Sequence, residues 1–296
     1  MKKGAIAIGS NSTRMLVAEK KNGMLNDVFR GREETRLFLG LDAQGNIAPE
    51  RLEDTAQAVA RLYLAAKMQG AKEMALFATS ATRDAKNGSH LAKRIEELCG
   101  LQLKVISGEE EAKLAFQAVA GQECRLVMDI GGGSTEFTLG DQGEILFARS
   151  AQMGASRLLK MQPIASREEA GLALKIAEDA LRSFADALAG YPKAPRLVGL
   201  GGSCTTAAAI LMGKEAHGEA VEGKIVTLEE AKRQLALLSS LTMEERMKVP
   251  GLPPARAAHM PHGLCILIAA LQLTGYKEIT VSGRTNLDGY LLSLPE

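Results

Sequence analysis

The sequence has no tryptophan, few aromatic residues and almost no net charge. Aromatic residues make up 4% of the 296 residues, and the formal net charge is +1. Aromatic side chains provide the surfaces on which the bases of single-stranded nucleic acid stack, so their scarcity argues against such a surface. A nearly neutral chain also lacks the overall field that attracts nucleic acid or an anionic membrane. We therefore expect neither partner, and a polyanionic substrate would have to meet local positive charge.

Cysteines are few, and long apolar runs are missing. Cys99, Cys124, Cys204 and Cys265 are scattered without a CxxC pair, which favours reduced thiols over disulfides or a zinc site. The longest apolar segment, 263–275, is too short to span a membrane, and the N-terminus does not have the pattern of a signal peptide. We therefore expect a cytoplasmic protein, and the length fits two domains.

The most informative motif lies within residues 126–137. An apolar run that ends at Asp129 is followed by Gly-Gly-Gly-Ser-Thr-Glu and then by further β-formers, which predicts a strand, a tight turn and a second strand. Glycines allow backbone N–H groups to approach an anion closely, and the carboxylates of Asp129 and Glu136 flank the turn as candidate ligands of a divalent cation. The predicted phosphate-binding residues here are Gly131, Gly132, Gly133, Ser134 and Thr135.

A second copy of this design lies near the N-terminus. The apolar residues 5–8 lead into Gly-Ser-Asn-Ser-Thr-Arg, and the apolar residues 15–18 follow. Two matched strand–turn–strand loops indicate two similar domains that face each other across a cleft. The predicted phosphate-binding residues of this first loop are Gly9, Ser10, Asn11 and Ser12.

A third glycine-rich loop, at 198–206, opens a helical run. The free N–H groups at a helix N-terminus bind anions, which makes Gly201, Gly202 and Ser203 further phosphate-binding candidates. Capping of the helix by Ser203 or Thr205 is an equally good explanation of the same residues, and the sequence leaves both open.

Strands alternate with helical periods along the chain, which predicts an α/β protein with two sheets. The predicted helices are 49–69, 89–99, 109–120, 166–190, 203–212, 228–240, 263–274 and 286–294. The predicted strands lie within 4–19, 24–31, 74–78, 103–106, 124–149, 195–200 and 279–281. Residues 33–46 are predicted to be a polar loop.

Five motifs occur in a familiar order and spacing: Ile8–Ser12, Ala78–Ala85, Ile106–Leu114, Asp129–Glu136 and Gly199–Thr206. Together they resemble the exopolyphosphatase/guanosine pentaphosphate phosphohydrolase (Ppx/GppA) family of the sugar kinase, Hsp70 and actin superfamily. The resemblance implies two actin-like (ribonuclease H-like) domains with a cleft between them, at 1–121 and 122–285. The C-terminal helix, 286–296, is expected to pack back on the first domain.

The resemblance also implies a function. It is the release of terminal orthophosphate from inorganic polyphosphate or, as an alternative, from guanosine pentaphosphate, for which the sequence identifies no guanine pocket. By the family pattern Glu111 is the catalytic carboxylate that activates the attacking water, which suits phosphoanhydride cleavage. Mg²⁺ at Asp129 and Glu136 is the expected cofactor, and a homodimer is an expected assembly.

Three further residues have two interpretations each. Glu109 and Glu110 lie in the first turn of a predicted helix, where acids offset the helix dipole, and we assign them that role. Arg83 is the second catalytic candidate, because a guanidinium binds phosphate through two N–H groups. The other interpretation of Arg83 is a surface salt bridge to Asp84 or a neighbour.

The sequence also departs from the family pattern. Ala7 stands where the family usually has an aspartate that helps to hold the metal, which motivates a further alternative, a catalytically weak polyphosphate or nucleotide sensor. Arg256-Ala257-Ala258 replaces the usual Arg-Ala-Asp. His259 and His262 follow in this divergent region, and we expect them to serve local packing or to lie on the surface.

Overall fold

The computed structural model describes residues 1–119 and 123–295. The chain divides into two compact units, Met1–Ala118 with the segment that begins at Asn286, and Val119–Thr285. The predicted domain boundary between residues 121 and 122 lies outside the described residues, as does the last residue of the predicted helix 109–120. Among the described residues no helix is long and apolar enough to cross a membrane.

The first unit contains one five-stranded sheet with helices around it. Its elements are β1 (Lys2–Ile8), β2 (Thr13–Lys21), β3 (Met24–Glu33), α1 (Pro49–Met68), β4 (Glu73–Ala78), α2 (Ser80–Asp84), α3 (Gly88–Cys99), β5 (Lys104–Val105), α4 (Gly108–Val119) and the C-terminal α11 (Asn286–Ser293). The strand order is β3-β2-β1-β4-β5. β1, β2 and β3 pair antiparallel, whereas β4 and β5 continue the sheet parallel to β1.

The second unit contains a six-stranded sheet. Its elements are β6 (Arg125–Ile130), β7 (Thr135–Asp141), β8 (Glu144–Ala151), α5 (Ala155–Met161), α6 (Arg167–Leu188), β9 (Leu197–Leu200), α7 (Gly201–Met212), β10 (Ile225–Thr227), α8 (Leu228–Ser239), α9 (Met243–Arg246), α10 (Met260–Thr274) and β11 (Glu278–Val281). The strand order is β10-β11-β9-β6-β7-β8.

The two sheets repeat one design. In each, an antiparallel three-stranded meander (β1–β3 or β6–β8) pairs through its first strand with a parallel strand that precedes a helix, β4 or β9. A glycine-containing turn joins the first two strands of each meander, at 9–12 and at 131–134. The predicted α/β class with two sheets is confirmed.

The first sheet is covered on both faces. Ile6 and Ile8 of β1 belong to an apolar cluster with α1 and α3, whereas Ala5 and Ala7 face a second cluster that includes Leu287 of α11. This alternation is the period of two expected of a strand buried on both sides. The second cluster therefore places the C-terminal helix against the face on which Ala7 lies.

One ion pair and one close approach hold α11 to the rest of the first unit. Arg30 of β3 forms an ion pair with the buried Asp288 carboxylate. Burial alone would lower the pKa of Arg30, but the hydrogen bonds and negative charges of Asp288 and Asp27 together outweigh burial and raise it, so the guanidinium stays charged. Gly289 lies so close to the carbonyl of Leu114 in α4 that a Cβ would collide with it.

Several short elements were not predicted from the sequence, including α2, α5, α9 and β10. Helix α5 has only seven residues and strand β10 only three, too few for a periodic pattern to be visible. The predicted loop 33–46 contains a short 3-10 helix, Leu37–Gly40, because its Leu37 and Phe38 side chains are buried in the first core.

Candidate functional site

Backbone hydrogen bonds from the segment at 36–38 hold the first loop. The N–H of Gly9 donates to the carbonyl of Ser12 at 3.1 Å and closes the turn. The carbonyls of Ser10 and Asn11 accept from the N–H groups of Phe38 and Arg36, each at 2.9 Å. Two negative carbonyl ends therefore point toward the 3-10 segment and away from any anion that approaches the turn from the other side.

The second loop has the same backbone arrangement. The N–H of Gly131 donates to the carbonyl of Ser134 at 3.0 Å. The carbonyl of Gly132 accepts from the N–H groups of Ser156 and Arg157, at 2.8 and 3.0 Å, so the start of α5 does here what the 3-10 segment does in the first unit. The Arg157 side chain also donates to the Gly133 carbonyl at 2.7 Å.

Gly154 supports the second loop through close contact. A Cβ at this position would collide with the backbone of Gly132 and Gly133, although the φ of Gly154, −133°, is one that any residue adopts. Sequence reasoning missed both Gly154 and Arg157, because no local pattern links residues 154–157 to a loop some twenty positions earlier.

The third loop is the N-terminus of a helix. Helix α7 begins at Gly201, its N-cap is Leu200, and no side chain caps it. Thr205 lies inside the helix and its hydroxyl donates back to the Gly201 carbonyl at 3.1 Å. The capping explanation of Ser203 and Thr205 is therefore wrong.

Two charged groups lie at the start of α7. Gly201 has φ +84° and lies against the Asp129 carboxylate, whereas the guanidinium of Arg256 lies against Gly202, and a Cβ at either glycine would collide with its neighbour. Burial, together with the nearby Asp129, raises the pKa of Cys204, which therefore remains a neutral thiol. The structure thus brings the predicted metal ligand Asp129 to the predicted phosphate-binding residues of the third loop.

Asp129 and Glu136 are direct partners in the β6–β7 ladder, so their side chains share one face of the sheet. Glu136 is buried and accepts a hydrogen bond from the Ser150 hydroxyl at 2.7 Å. Ser150 is in turn the β8 partner of Glu136. Residues 129, 136 and 150 therefore form a row across the meander, which we call the acidic row.

The acidic row fits a magnesium ion that also binds substrate. The described residues contain no cluster of three or more His, Cys, Asp or Glu side chains that could hold a metal. Mg²⁺ is commonly bound by one or two protein carboxylates, with waters and substrate phosphates as the remaining ligands. Asp129 and Glu136 supply such a pair, beside a loop predicted to bind phosphate.

The same row in the first unit carries different residues. Ala7 pairs with Arg14 in the β1–β2 ladder, and Arg14 pairs with Arg32 in the β2–β3 ladder. These three residues are the positional equivalents of Asp129, Glu136 and Ser150. The pair next to the first loop is Ile8–Thr13 and the pair next to the second loop is Ile130–Thr135, so each row lies one residue further from its loop. We call residues 7, 14 and 32 the basic row.

The two predicted catalytic residues lie together in the first unit. The carboxylate of Glu111, in the first turn of α4, is buried and lies 3.6 Å from Nη1 of Arg83. The same Nη1 donates to the Ile106 carbonyl at 2.9 Å, whereas Nη2 of Arg83 is buried and makes no hydrogen bond within the described residues. The charged partner of Arg83 is therefore Glu111, and the catalytic role of Arg83 stays a prediction.

Glu110 lies in the first turn of α4, as predicted, and also helps to cap the helix. Its backbone N–H donates to the Ser107 hydroxyl at 3.1 Å, and its carboxylate accepts from the Ser107 N–H at 2.8 Å, which together make a capping box. The hydrogen bond from Lys104, with that from Ser107, lowers the pKa of the Glu110 carboxyl. Glu109 is exposed in the same turn.

The two histidines of the divergent region are packing residues rather than surface residues. His259 is 8% exposed and His262 is fully buried. The His262 ring nitrogens lie 3.1 and 2.9 Å from the carbonyls of Ala258 and Gln162. Burial lowers the pKa of His262. Its contact with the Gln162 carbonyl joins α10 to the end of α5.

A pocket of about 190 Å³ lies within the second unit. It is lined by Leu126, Leu139, Tyr191 and Tyr276, among others. Leu126 and Leu139 are at the end of the β6–β7 hairpin that is remote from its glycine turn. None of the predicted site residues lines this pocket.

Comparison with known proteins agrees with this arrangement. Residues 16–295 match the model of the Ppx/GppA phosphatase family, a range that begins just after the first loop. A PPX-GPPA enzyme from Aquifex aeolicus is similar at 27% identity, with 99% of each chain covered and a TM-score of 0.83. An exopolyphosphatase from Cytophaga hutchinsonii shares the fold at 24% identity, with 98% of this chain and 96% of that chain covered and a TM-score of 0.88. With nearly its whole length matched, the chain belongs to the Ppx/GppA phosphatase family.

Proposed function

We propose that this protein hydrolyses phosphoanhydrides and releases the terminal orthophosphate of inorganic polyphosphate. Membership of a phosphatase family supports the reaction class, and the structural neighbour described as an exopolyphosphatase supports the choice of substrate. The observation that carries the proposal is the Arg83–Glu111 pair. It offers a buried carboxylate and, beside it, a buried guanidinium N–H group with no hydrogen-bond partner among the described residues.

The two side chains suit the two needs of this chemistry. Glu111 is the group we assign to orienting the attacking water and taking its proton, and Arg83 Nη2 is the donor we assign to a phosphate oxygen. Arg83 Nη1 is occupied by the Ile106 carbonyl and lies beside Glu111. This contact fixes the guanidinium plane, so that Nη2 is presented in one orientation.

Backbone amides and a metal ion complete the proposed machinery. We assign phosphate binding to the amides of the turns at 9–12 and 131–134 and to the start of α7, since their carbonyls are engaged elsewhere or lie at the other end of the helix. Mg²⁺ held by Asp129 and Glu136 would neutralise developing charge on the phosphoryl oxygens.

The experiment is phosphate release from polyphosphate by the wild type and by Glu111→Gln, with and without Mg²⁺. Glutamine keeps the size of the side chain but cannot take a proton, so we expect turnover to fall at least about a hundredfold, the usual scale for loss of a general base. The matched control is Glu109→Gln, an exposed acid in the same helical turn. A Glu111→Gln protein as active as the control would show that another group activates the water.

A polyphosphate or nucleotide sensor is the second candidate. The basic row favours it. Where the acidic row has two carboxylates, the basic row has the small side chain of Ala7 and the cationic side chain of Arg14. A wild-type protein that binds polyphosphate in equilibrium dialysis but releases no phosphate at saturating Mg²⁺ would establish the sensor. Faster release from guanosine pentaphosphate than from polyphosphate would instead establish the alternative substrate.

A further inference from the structure

The side-chain amide of Asn11 in the first loop has a defined orientation. Its Nδ2 donates to Oε2 of Glu34 at 2.8 Å. An ionised carboxylate is only an acceptor, so the NH₂ group of Asn11 must face Glu34 and the carbonyl Oδ1 must face the other way.

Oδ1 of Asn11 is buried and has no hydrogen-bond partner among the described residues. Buried acceptors without a partner are uncommon in native proteins, because burial removes the water that would otherwise satisfy them. The rotation that would relieve Oδ1 would turn it toward the Glu34 carboxylate, where two acceptors would repel each other. The unsatisfied acceptor is therefore a consequence of the contact with Glu34.

Glu34 and the backbone around it are themselves held in place. Arg32, the outer member of the basic row, forms an ion pair with the second carboxylate oxygen of Glu34. The backbone carbonyl of Asn11 accepts from the N–H of Arg36, which has φ 47° and ψ 39°. A non-glycine residue pays conformational free energy in this left-handed region, a cost often found near functional sites. Glu34 and Arg36 thus fix Asn11 and leave Oδ1 available, and Arg32 in turn fixes Glu34.

We propose that Glu34 is a positioning residue of the first loop, which orients Asn11 so that Oδ1 accepts a hydrogen bond from an O–H donor at the bound phosphate. The donor is an ordered water or a protonated phosphate oxygen. A fully ionised phosphate oxygen is itself an acceptor and does not bind Oδ1, so Asn11 contributes to the binding of the anion only through its backbone. This proposal rests on the proposed function, because it places phosphate at the first loop.

The kinetic test compares two adjacent acids of similar exposure. Glu34 is 29% exposed and is paired with Arg32 and Asn11, whereas Glu33 is 28% exposed and is paired with Arg61 of α1. Glu34→Gln and Glu33→Gln remove the same charge one residue apart, but only the first allows the amide of Asn11 to rotate.

We expect Glu34→Gln to lower kcat for phosphate release from polyphosphate about tenfold, the scale of one hydrogen bond in the transition state, with KM changed less than about twofold. Glu33→Gln should leave both constants near the wild-type values. Glu34→Asp keeps an acceptor-only carboxylate and should recover part of the loss. Equal constants for the Glu34→Gln and Glu33→Gln proteins would overturn the proposal.

The pH dependence of this effect identifies the donor. If it is a protonated phosphate oxygen, the difference between Glu34→Gln and wild type should vanish at a pH above the ionisation of the terminal phosphate. If it is a water molecule, the difference should persist there.

A second measurement does not depend on turnover. In a ¹H–¹⁵N spectrum the side-chain NH₂ cross-peaks of Asn11, assigned by their loss in Asn11→Asp, should include one proton shifted downfield by its bond to Glu34. That shift should be lost in Glu34→Gln and retained in Glu33→Gln. Unchanged Asn11 cross-peaks in Glu34→Gln would overturn the proposal even in an active enzyme. A wild type that shows the shift but releases no phosphate would instead count against the proposed function.

Discussion

The two glycine loops have the same backbone but opposite charges beside them. Both turns are closed by the same N–H to carbonyl hydrogen bond, and in both the other carbonyls accept hydrogen bonds from N–H groups of a neighbouring segment. The row next to the second loop carries Asp129 and Glu136, whereas the row next to the first carries Arg14 and Arg32. One loop backbone is therefore repeated with different side chains beside it, and our proposal assigns a metal ion to the second loop and direct protein cations to the first.

The supports behind the loops differ as well. A 3-10 segment entered through Arg36, in the left-handed region, supports the first loop. The N-terminus of α5, approached through Gly154, supports the second. Each support supplies N–H groups to the turn carbonyls, so the shared requirement is the donors rather than one kind of element.

The largest expected difference between the rows concerns the metal. Asp129→Asn should lower activity by about a hundredfold or more and should raise the Mg²⁺ concentration needed for half-maximal activity. Mutation of residues that only hydrogen-bond to metal ligands already lowers activity by up to about a hundredfold, and Asp129 is a proposed ligand itself. The measurement is phosphate release against Mg²⁺ concentration. Asp141→Asn, at the far end of β7, is the control and should behave as wild type.

Arg14→Gln is the corresponding change in the basic row. It should raise KM for polyphosphate about tenfold, the scale of a charge-assisted hydrogen bond to phosphate, and should leave the Mg²⁺ requirement unaltered. A change in the Mg²⁺ requirement that matches that of Asp129→Asn would show that the two rows do not differ in chemistry.

A smaller effect is expected from the support of the second loop. Gly154→Ala introduces a Cβ where Gly132 and Gly133 already lie, although the backbone angle itself permits alanine. We expect a loss of about 1–3 kcal/mol in the free energy of unfolding, typical of overpacking, and a fall of about tenfold in activity. The control is Gly171→Ala in α6, where a Cβ meets nothing within 4 Å. If the free energy of unfolding of Gly154→Ala equals that of Gly171→Ala, the close contact does not constrain the loop.

The smallest effect on activity is expected at position 7. From the sequence alone, Ala7→Asp should tighten Mg²⁺ binding, but Ala7 is 4% exposed in an apolar cluster and its ladder partner is Arg14. We now expect the new carboxylate to pair with Arg14, to leave the Mg²⁺ requirement within about twofold of wild type, and to cost about 1–3 kcal/mol of stability.

Ala5→Asp tests that explanation. Ala5 lies on the same face of the same strand, but its partner is Leu16. Chemical denaturation should therefore show a larger loss for Ala5→Asp than for Ala7→Asp. A tighter Mg²⁺ response in Ala7→Asp would instead support the sequence-based expectation and remove the distinction between the rows.

Local patterns predicted much of the fold. The long helices α1, α6, α8 and α10 lie close to their predicted ranges, because an amphipathic period over several turns is a strong local signal. The short α5 and β10 escaped prediction because each is stabilised by contacts distant in sequence. Helix α5, for example, is held through the bonds of Ser156 and Arg157 to Gly132.

The candidate site divides in the same way. The sequence by itself determined the two strand–turn–strand loops, a helix that begins within the loop at 198–206 and the acidic first turn of α4, since each is a run of neighbouring residues with a distinctive composition. Only the tertiary structure decided that Ala7 faces Arg14, that Arg83 lies beside Glu111 and that Glu34 turns the amide of Asn11. These pairings depend on strand register and helix packing, which bring together residues far apart in the chain and which no local pattern encodes.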